Sequence, residues 1–398
     1  MTSTMRFLQE KAGSFFLFGP RGTGKSTWLK ATYPNALSFD LLDPALRREF
    51  LSHPEYLKER LAGHHRQVKH SRDADTSLTV VIDEVQHVPA LLDVVHQLIE
   101  EKTPWRFVLT GSSARKLRRG ASNLLAGRVS RAEMHPLMAA ELGDAFDLDY
   151  ALSKGTVPLV WYADNPSDTL AAYVALYLNE EVQAEALVRD IGAFGRFLEA
   201  MSFSHASQLN LSAVARESGV NRQTIANYLE VLEDLLLGFR LPVFSRRARR
   251  DLVAHEKFYY FDSGVYQSLR PRGPLDRAEE VAGGALEGLV AQHLRAWAAY
   301  RNDGEKLYYW RTRHGSEVDF VVYGQKGLWA FEVKHSRRVD RKDLRSLRAF
   351  REDYPEAELA LLYRGDEPLE IDGIVVLPCD TFLRNLKPWN DPLTGEKL

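Results

Sequence analysis

Residues 14–26 read Ser14-Phe-Phe-Leu-Phe18-Gly19-Pro-Arg-Gly22-Thr-Gly24-Lys25-Ser26, an apolar run, a glycine-spaced loop, then a lysine and a hydroxyl. The apolar run predicts a strand, and Thr27-Trp-Leu-Lys-Ala-Thr-Tyr33 after it predicts a helix. Between them the loop satisfies G-x-x-x-x-G-K-[ST] in full. Gly19, Gly22 and Gly24 permit close backbone approach and positive φ, so loop amides and the helix N-terminus converge where phosphates would sit. Lys25 would reach the β- and γ-phosphates, Ser26 would coordinate Mg²⁺, and Thr27 would stand near the α-phosphate.

Two further strands support this site. Ser77-Leu-Thr-Val-Val-Ile-Asp83-Glu84 is a short β-branched run of the kind buried on both faces of a parallel sheet, and it ends in two acids. Ligands of such sheets lie beyond the carboxyl ends of the strands, which puts Asp83 beside the metal and Glu84 in place as general base for water. Trp105-Arg-Phe-Val-Leu-Thr110-Gly-Ser112-Ser113 ends in small polar residues. Ser112 is the favoured sensor of the γ-phosphate, with Thr110 as the alternative.

The loop, Val80-Val-Ile-Asp-Glu-Val-Gln86 and Val108-Leu-Thr-Gly-Ser-Ser113 resemble Walker A, Walker B and sensor 1 of AAA+ ATPases. Leu125-Ala-Gly-Arg128, Met134-His-Pro-Leu137 and Glu141 resemble a signature of a large prokaryotic AAA+ family whose C-terminal domain was long of unknown function. This resemblance implies ATP as cofactor and a homo-oligomer, with a hexamer favoured. It also implies Arg128 as an arginine finger reaching a neighbouring subunit's γ-phosphate, with Arg131 as its nearest competitor and a surface ion pair as the plain reading.

The whole chain has 398 residues, which suits two or three domains, and its 45% hydrophobic and 27% charged residues describe an ordinary globular protein. A formal net charge of −2 gives no global signature of a nucleic-acid binder, so any such contact must be local. The single cysteine, Cys379, forms no internal disulfide, and no Cys/His spacing suggests zinc. Nothing resembles a signal peptide or an eighteen-residue apolar span, so the expected location is cytoplasmic, with no membrane partner.

Between Ala171 and Ala200, Tyr173, Leu176, Tyr177, Phe194 and Leu198 recur at helical spacing, a pattern read as core packing. The segment from Asn210 to Leu232 reads as a helix, a tight turn at Gly219 and a second helix capped by Asn221. Arg222, Gln223, Thr224 and Asn227 would project from the first turns of the second helix, the part that meets DNA in helix-turn-helix proteins. Arg246, Arg247, Arg249 and Arg250 add a basic cluster suited to phosphates. A lid or a protein contact is the alternative use of such a module.

Near the C-terminus, Glu317-Val-Asp319-Phe-Val-Val and Leu328-Trp-Ala-Phe-Glu332-Val-Lys334 alternate with period two. Asp319 would lie opposite Val318 and Phe320, while Glu332 and Lys334 share a face. The pattern D-x12-E-V-K, preceded by Glu287 on a helix, resembles PD-(D/E)XK restriction-endonuclease-like nucleases. That likeness implies Asp319 and Glu332 as ligands of Mg²⁺ or Mn²⁺, Glu287 in the metal shell, Lys334 orienting water and Glu317 further out. Arg337 and Arg338 would help dock DNA. The plain reading is an inert fold whose E-V-K guards an edge strand.

The expected fold is α/β: an AAA+ P-loop domain at 1–142, a helical and winged-helix linker at 143–250, a restriction-endonuclease-like domain at 251–386 and a tail at 387–398. The leading expectation is an oligomeric ATP-dependent DNA-processing motor with a metal-dependent nuclease. The runner-up is a nucleotide-controlled DNA- or protein-binding switch whose C-terminal domain is inert. A small-molecule kinase is the third class, disfavoured by the strand-end acid pair and the helix-turn-helix.

Overall fold

The structure is a computed structural model and describes residues 4–70, 78–111, 125, 127–177, 190–246, 248, 250–274 and 276–397. The chain forms two compact units, one of residues 8–135 with 234–236, the other of residues 2–7, 136–233 and 237–398.

The first unit is built on five parallel strands in the order β2-β3-β4-β1-β5. These are β1 (Phe15–Phe18), β2 (Leu37–Asp40), β3 (Thr79–Asp83), β4 (Arg106–Gly111) and β5 (Ser130–Glu133). Every residue of β3 is buried, as a strand covered on both faces requires. Val80, Ile82, Phe107 and Leu109 pack in one cluster with Leu91, Val95 and Leu98, which recur at helical spacing along α2 (Leu91–Glu100). Because β4 lies between β1 and β3, the loop after β1 and the acids ending β3 open at the same edge, two strands apart.

In the second unit, a helix at Ile191–Ser202 precedes β6 (Ser207–Gln208), α3 (Leu211–Ser218) and α4 (Arg222–Asp234). Asn210 caps α3 by accepting from the Ser212 and Ala213 amides, and Gly219 takes the left-handed conformation with φ of 69°. Asn221 Oδ1 then accepts from the Thr224 amide at 2.8 Å, starting α4. Strands β7 (Gly238–Leu241) and β8 (Lys257–Tyr260) complete an antiparallel sheet in the order β6-β8-β7. Tyr173, Phe194 and Leu198 are buried, in keeping with packing. Residues 178–189 of that stretch lie outside the described residues.

The same unit holds a six-stranded sheet, ordered β13-β14-β12-β11-β10-β9. Its strands are β9 (Lys306–Arg311), β10 (Glu317–Tyr323), β11 (Leu328–Lys334), β12 (Glu358–Tyr363), β13 (Leu369–Ile371) and β14 (Ile374–Pro378). β9, β10 and β11 are antiparallel neighbours, whereas β11, β12 and β14 run parallel. Helix α5 (Ala278–Arg301) meets the sheet through Trp297 against Trp329, and α6 (Arg345–Asp353) through Phe350 against Trp310.

Period-two alternation in β10 is interrupted. Pairing with β9 shifts by a residue between Val318 and Val321, a β-bulge. Asp319 therefore does not point away from Phe320 as strict alternation requires. Lys257 bonds Asp319 while Tyr259, two residues along the same face of β8, meets the Phe320 ring, so the bulge turns both toward β8.

Candidate functional site

The phosphate-loop geometry follows from its glycines. Gly22 and Gly24 have φ of 80° and 93°, in the region that a side chain disfavours. A Cβ on Gly19 would fall 2.6 Å from the Met134 carbonyl oxygen, so the strand-to-loop turn has no room for one. Helix α1 (Lys25–Thr32) starts directly at the loop. The Lys25 side chain is buried and its Nζ donates to the Gly19 carbonyl at 2.7 Å, folded over the loop that would cradle phosphate.

Ser26 Oγ donates to Asp83 Oδ2 at 2.6 Å, joining the helix start to the tip of β3. The Thr110 hydroxyl donates to Asp83 Oδ1 and accepts from the Glu84 amide at 2.9 Å. Hence β4 supplies the group that fixes the acid pair, and that group is Thr110, the alternative to Ser112. Ser112 itself lies outside the described residues. Glu84 is held in the left-handed region with φ of 58°, and its carboxylate accepts from the Gln86 amide nitrogen. The oxygens of Ser26 and Asp83 are the hard donors a Mg²⁺ ion takes, so the residues present fit that ion. Thr27 follows on α1 and is exposed.

Arg128 donates to Glu100, the last residue of α2, and both side chains are exposed. Ser130 bonds back to Ser14 at the start of β1, so Arg128 sits at the amino ends of the strands, away from Gly19 and Asp83. A role for Arg128 at its own chain's nucleotide is thereby ruled out by position. Arg131 bonds Glu133 and lies over the Phe18 ring.

In the second unit Arg222, Gln223 and Asn227 are exposed along one stretch of α4, while Ile225, Tyr228 and Leu229 face inward. Arg247 and Arg249 lie outside the described residues. Their neighbours are engaged elsewhere: Arg246 covers Tyr323 of the large sheet, and Arg250 pairs with Glu352 and Asp353 at the end of α6. The segment between β7 and β8 is itself docked on the large sheet. Phe244 bonds the Tyr309 carbonyl through its amide at 2.7 Å and is buried in the core with Trp310 and Phe350. Arg337 and Arg338 are exposed after β11.

The structure gathers Glu287, Glu317, Asp319, Glu332 and Lys334, and adds two residues that the sequence reading missed. Lys257 Nζ donates to Glu287 Oε1 at 2.9 Å, to Asp319 Oδ1 at 3.1 Å and to Glu317. The Tyr259 hydroxyl donates to Glu287 Oε1 at 2.6 Å. Asp319 Oδ2 accepts from the Val333 amide at 2.9 Å, and Lys334 Nζ donates to Glu332 Oε1 at 2.6 Å. Burial, aided by Asp319 and against the pull of Lys257, pushes Glu287 up to about 7. Burial alone would lower Lys257, but Glu287, Tyr259, Asp319 and Glu317 together hold it well above the usual lysine range.

Among the described residues, no group of three or more His, Cys, Asp or Glu side chains is arranged to hold a metal ion. The expected ligand set of Asp319, Glu332 and Glu287 therefore does not fit one. The contacts show why: an ammonium stands among the carboxylates, and amide, phenol and lysine donors take Asp319 Oδ2, Glu287 Oε1 and Glu332 Oε1, while the buried Glu332 Oε2 has no partner. The available signal was Lys257 itself, heading a strand, Lys257-Phe-Tyr-Tyr260, in which every residue is buried.

No helix among the described residues is long and apolar enough to cross a membrane. Three family models match successive parts of the chain: an AAA domain over residues 11–143, a domain of unknown function (DUF8612) over 145–276, and another (DUF4143) over 282–382. Uncharacterized proteins of Mycobacterium tuberculosis and Mycobacterium bovis are each 27% identical over 390 residues, covering 95% of this chain and 83% of their own. An uncharacterized protein of Haemophilus influenzae is 23% identical over 317 residues, covering 75% of each chain. With a P-loop, a buried lysine and a serine–aspartate contact in place, the match over residues 11–143 identifies the N-terminal part as similar to AAA-type nucleotide-binding ATPase domains.

Proposed function

We propose that this protein is an ATP-hydrolysing, nucleotide-controlled switch that contacts DNA through α4 and in which the C-terminal sheet is a non-catalytic platform. The observation that carries the nucleotide part is the 2.6 Å contact between Ser26 and Asp83 beside the buried Lys25. In this reading Lys25 neutralises the β- and γ-phosphates, with Gly19, Gly22 and Gly24 leaving the loop amides free to approach them. Ser26 and Asp83 would hold Mg²⁺, which offsets charge on the phosphate oxygens when ATP is bound. Glu84 accepts the proton of the attacking water, and Thr110 keeps its backbone in place. Arg128, remote from its own chain's site, acts across subunits in an oligomer.

The DNA part rests on the exposed Arg222, Gln223 and Asn227 at the start of a capped second helix. The small sheet, in which β6 before the two helices joins β7 and β8 after them, supports a winged-helix reading. The competing reading, a motor with a nuclease, draws on Asp319, Glu332 and Lys334. It is disfavoured by the ammonium among those acids. The test is ATP turnover with and without duplex, single-stranded and forked DNA, beside retention of each DNA. The switch predicts DNA retention that depends on nucleotide, with slow turnover that DNA leaves unchanged. Turnover stimulated by DNA, together with DNA degradation lost in Lys334→Ala, would establish the motor instead.

A further inference from the structure

We infer that the side chain of Lys257 is the resident cation of the C-terminal carboxylate cluster, standing where a divalent metal would otherwise be needed and locking β8 onto β10 and α5. An ammonium has three N–H bonds, and three carboxylates surround this one: Glu287 from α5, and Glu317 and Asp319 from β10. The match of donors to acceptors leaves Lys257 only 2% exposed, so the charge is buried and satisfied rather than poised for exchange with solvent.

A divalent cation would need several of these oxygens at once, and Mg²⁺ would keep some of its own waters. Several candidate oxygens already have donors, although the buried Glu332 Oε2 has none. Asp319 Oδ2 takes the Val333 amide, Glu287 Oε1 accepts from both Lys257 and the Tyr259 hydroxyl, and Glu332 Oε1 takes Lys334. Bringing a second positive charge beside Lys257 would add repulsion in a site with little water to screen it. Removing Lys257 reverses the situation. Glu287, Glu317 and Asp319 would then crowd like charges without a counterion, which is the condition that draws in a metal.

The lock has a structural consequence. β8 belongs to the small sheet whose strands flank the helix-turn-helix, whereas Asp319 and Glu317 belong to the large sheet. One ammonium therefore ties the two sheets together, and the tie needs no metal.

This inference is independent of the nucleotide site. The experiment measures Mn²⁺ binding by electron paramagnetic resonance on folded, nucleotide-free, full-length protein, for wild type, Asp319→Asn, Lys257→Ala and the Lys257→Ala/Asp319→Asn double variant, with thermal midpoints for each. Wild type and Asp319→Asn are expected to bind Mn²⁺ alike, and chelator to leave the wild-type midpoint unchanged. Lys257→Ala is expected to melt lower and to gain one Mn²⁺ per chain, lost again in the double variant. Mn²⁺ uptake by wild type that Asp319→Asn abolishes overturns the inference, as does a folded Lys257→Ala protein that melts at the wild-type temperature. If Lys257→Ala cannot be obtained folded, the comparison of wild type with Asp319→Asn decides. ATP binding by Lys257→Ala, read alongside, separates failure here from failure of the nucleotide reading.

Discussion

Ser26 and Asp83, separated by 57 positions in the chain, meet at 2.6 Å across the carboxyl edge of the first sheet. One sits at the start of α1, which follows β1, and the other at the tip of β3, and β4 lies between those two strands in the sheet. Such a contact gives a hydroxyl and a carboxylate the common focus a hard cation requires. Ser26→Ala should therefore weaken the Mg²⁺ dependence of ATP binding. A charge-assisted contact is worth about 1.5–3 kcal/mol, so roughly 10- to 100-fold in affinity should be lost when Mg²⁺ is present. Calorimetric titration with and without Mg²⁺ reads both values, and the Mg²⁺-free affinity should stay unchanged.

Glu84 is a different case, because its backbone is strained and its carboxylate is held by Gln86. A residue kept at φ of 58° without being glycine fits a functional demand better than a packing one. Glu84→Gln should leave ATP affinity within a few-fold and lower turnover by roughly 10²- to 10⁴-fold, the range for loss of a general base. Single-turnover hydrolysis measures the second quantity directly. An unchanged rate would remove Glu84 from the chemistry.

Arg128 can serve ATP only on another chain, since its ion pair with Glu100 lies at the amino ends of the strands. Wild-type turnover per chain should rise with protein concentration, and Arg128→Ala should stay at the dilute-protein value while binding ATP normally. Because an exposed ion pair contributes only about 0–1 kcal/mol, this substitution should barely change the melting temperature. Turnover of Arg128→Ala that follows the wild-type concentration dependence would reduce Arg128 to that surface pair.

Much of the first site is legible in the chain because its parts are local: a strand, a glycine loop and a helix in sequence, then a β-branched run ending in two acids. The bond from Thr110 to Asp83 is less so, since it joins the ends of two separate strands across 27 positions. In the C-terminal sheet, Glu332 and Lys334 are readable from period two, whereas the orientation of Asp319 is not, because a bulge breaks the period. Lys257 escapes notice for a longer-range reason. It lies 62 residues before Asp319 and on a strand of another sheet, so no local pattern pairs them. The arginines at 246 and 250 look like a free basic patch in sequence, yet Tyr323 of the large sheet and the acids ending α6 engage them.

His293 supplies a prediction about pH. It is fully buried on α5, its Nε2 accepts the Ala139 amide at 2.9 Å and its Nδ1 faces the Leu289 carbonyl at 2.8 Å. Burial lowers it to about 4, although the Leu289 carbonyl pulls the other way. The folded value lies below the unfolded one, so the unfolded chain takes up a proton first as pH falls. This residue's contribution is therefore intact above about pH 6.5 and is lost between there and about pH 4. Relative to a His293→Gln protein, wild type should lose about 2 kcal/mol between pH 7.5 and pH 5, read from denaturant unfolding of both proteins. Parallel pH profiles of the two proteins would contradict the assignment.

The most direct test of the whole account is equilibrium titration of the folded protein with labelled ATP in the presence of Mg²⁺, beside Lys25→Ala. With Lys25 buried over the Gly19 carbonyl in the loop that would cradle the phosphates, the account predicts saturable binding at one site per chain, abolished or greatly weakened by the substitution. No saturable binding by wild type, or equal binding by Lys25→Ala, would contradict it.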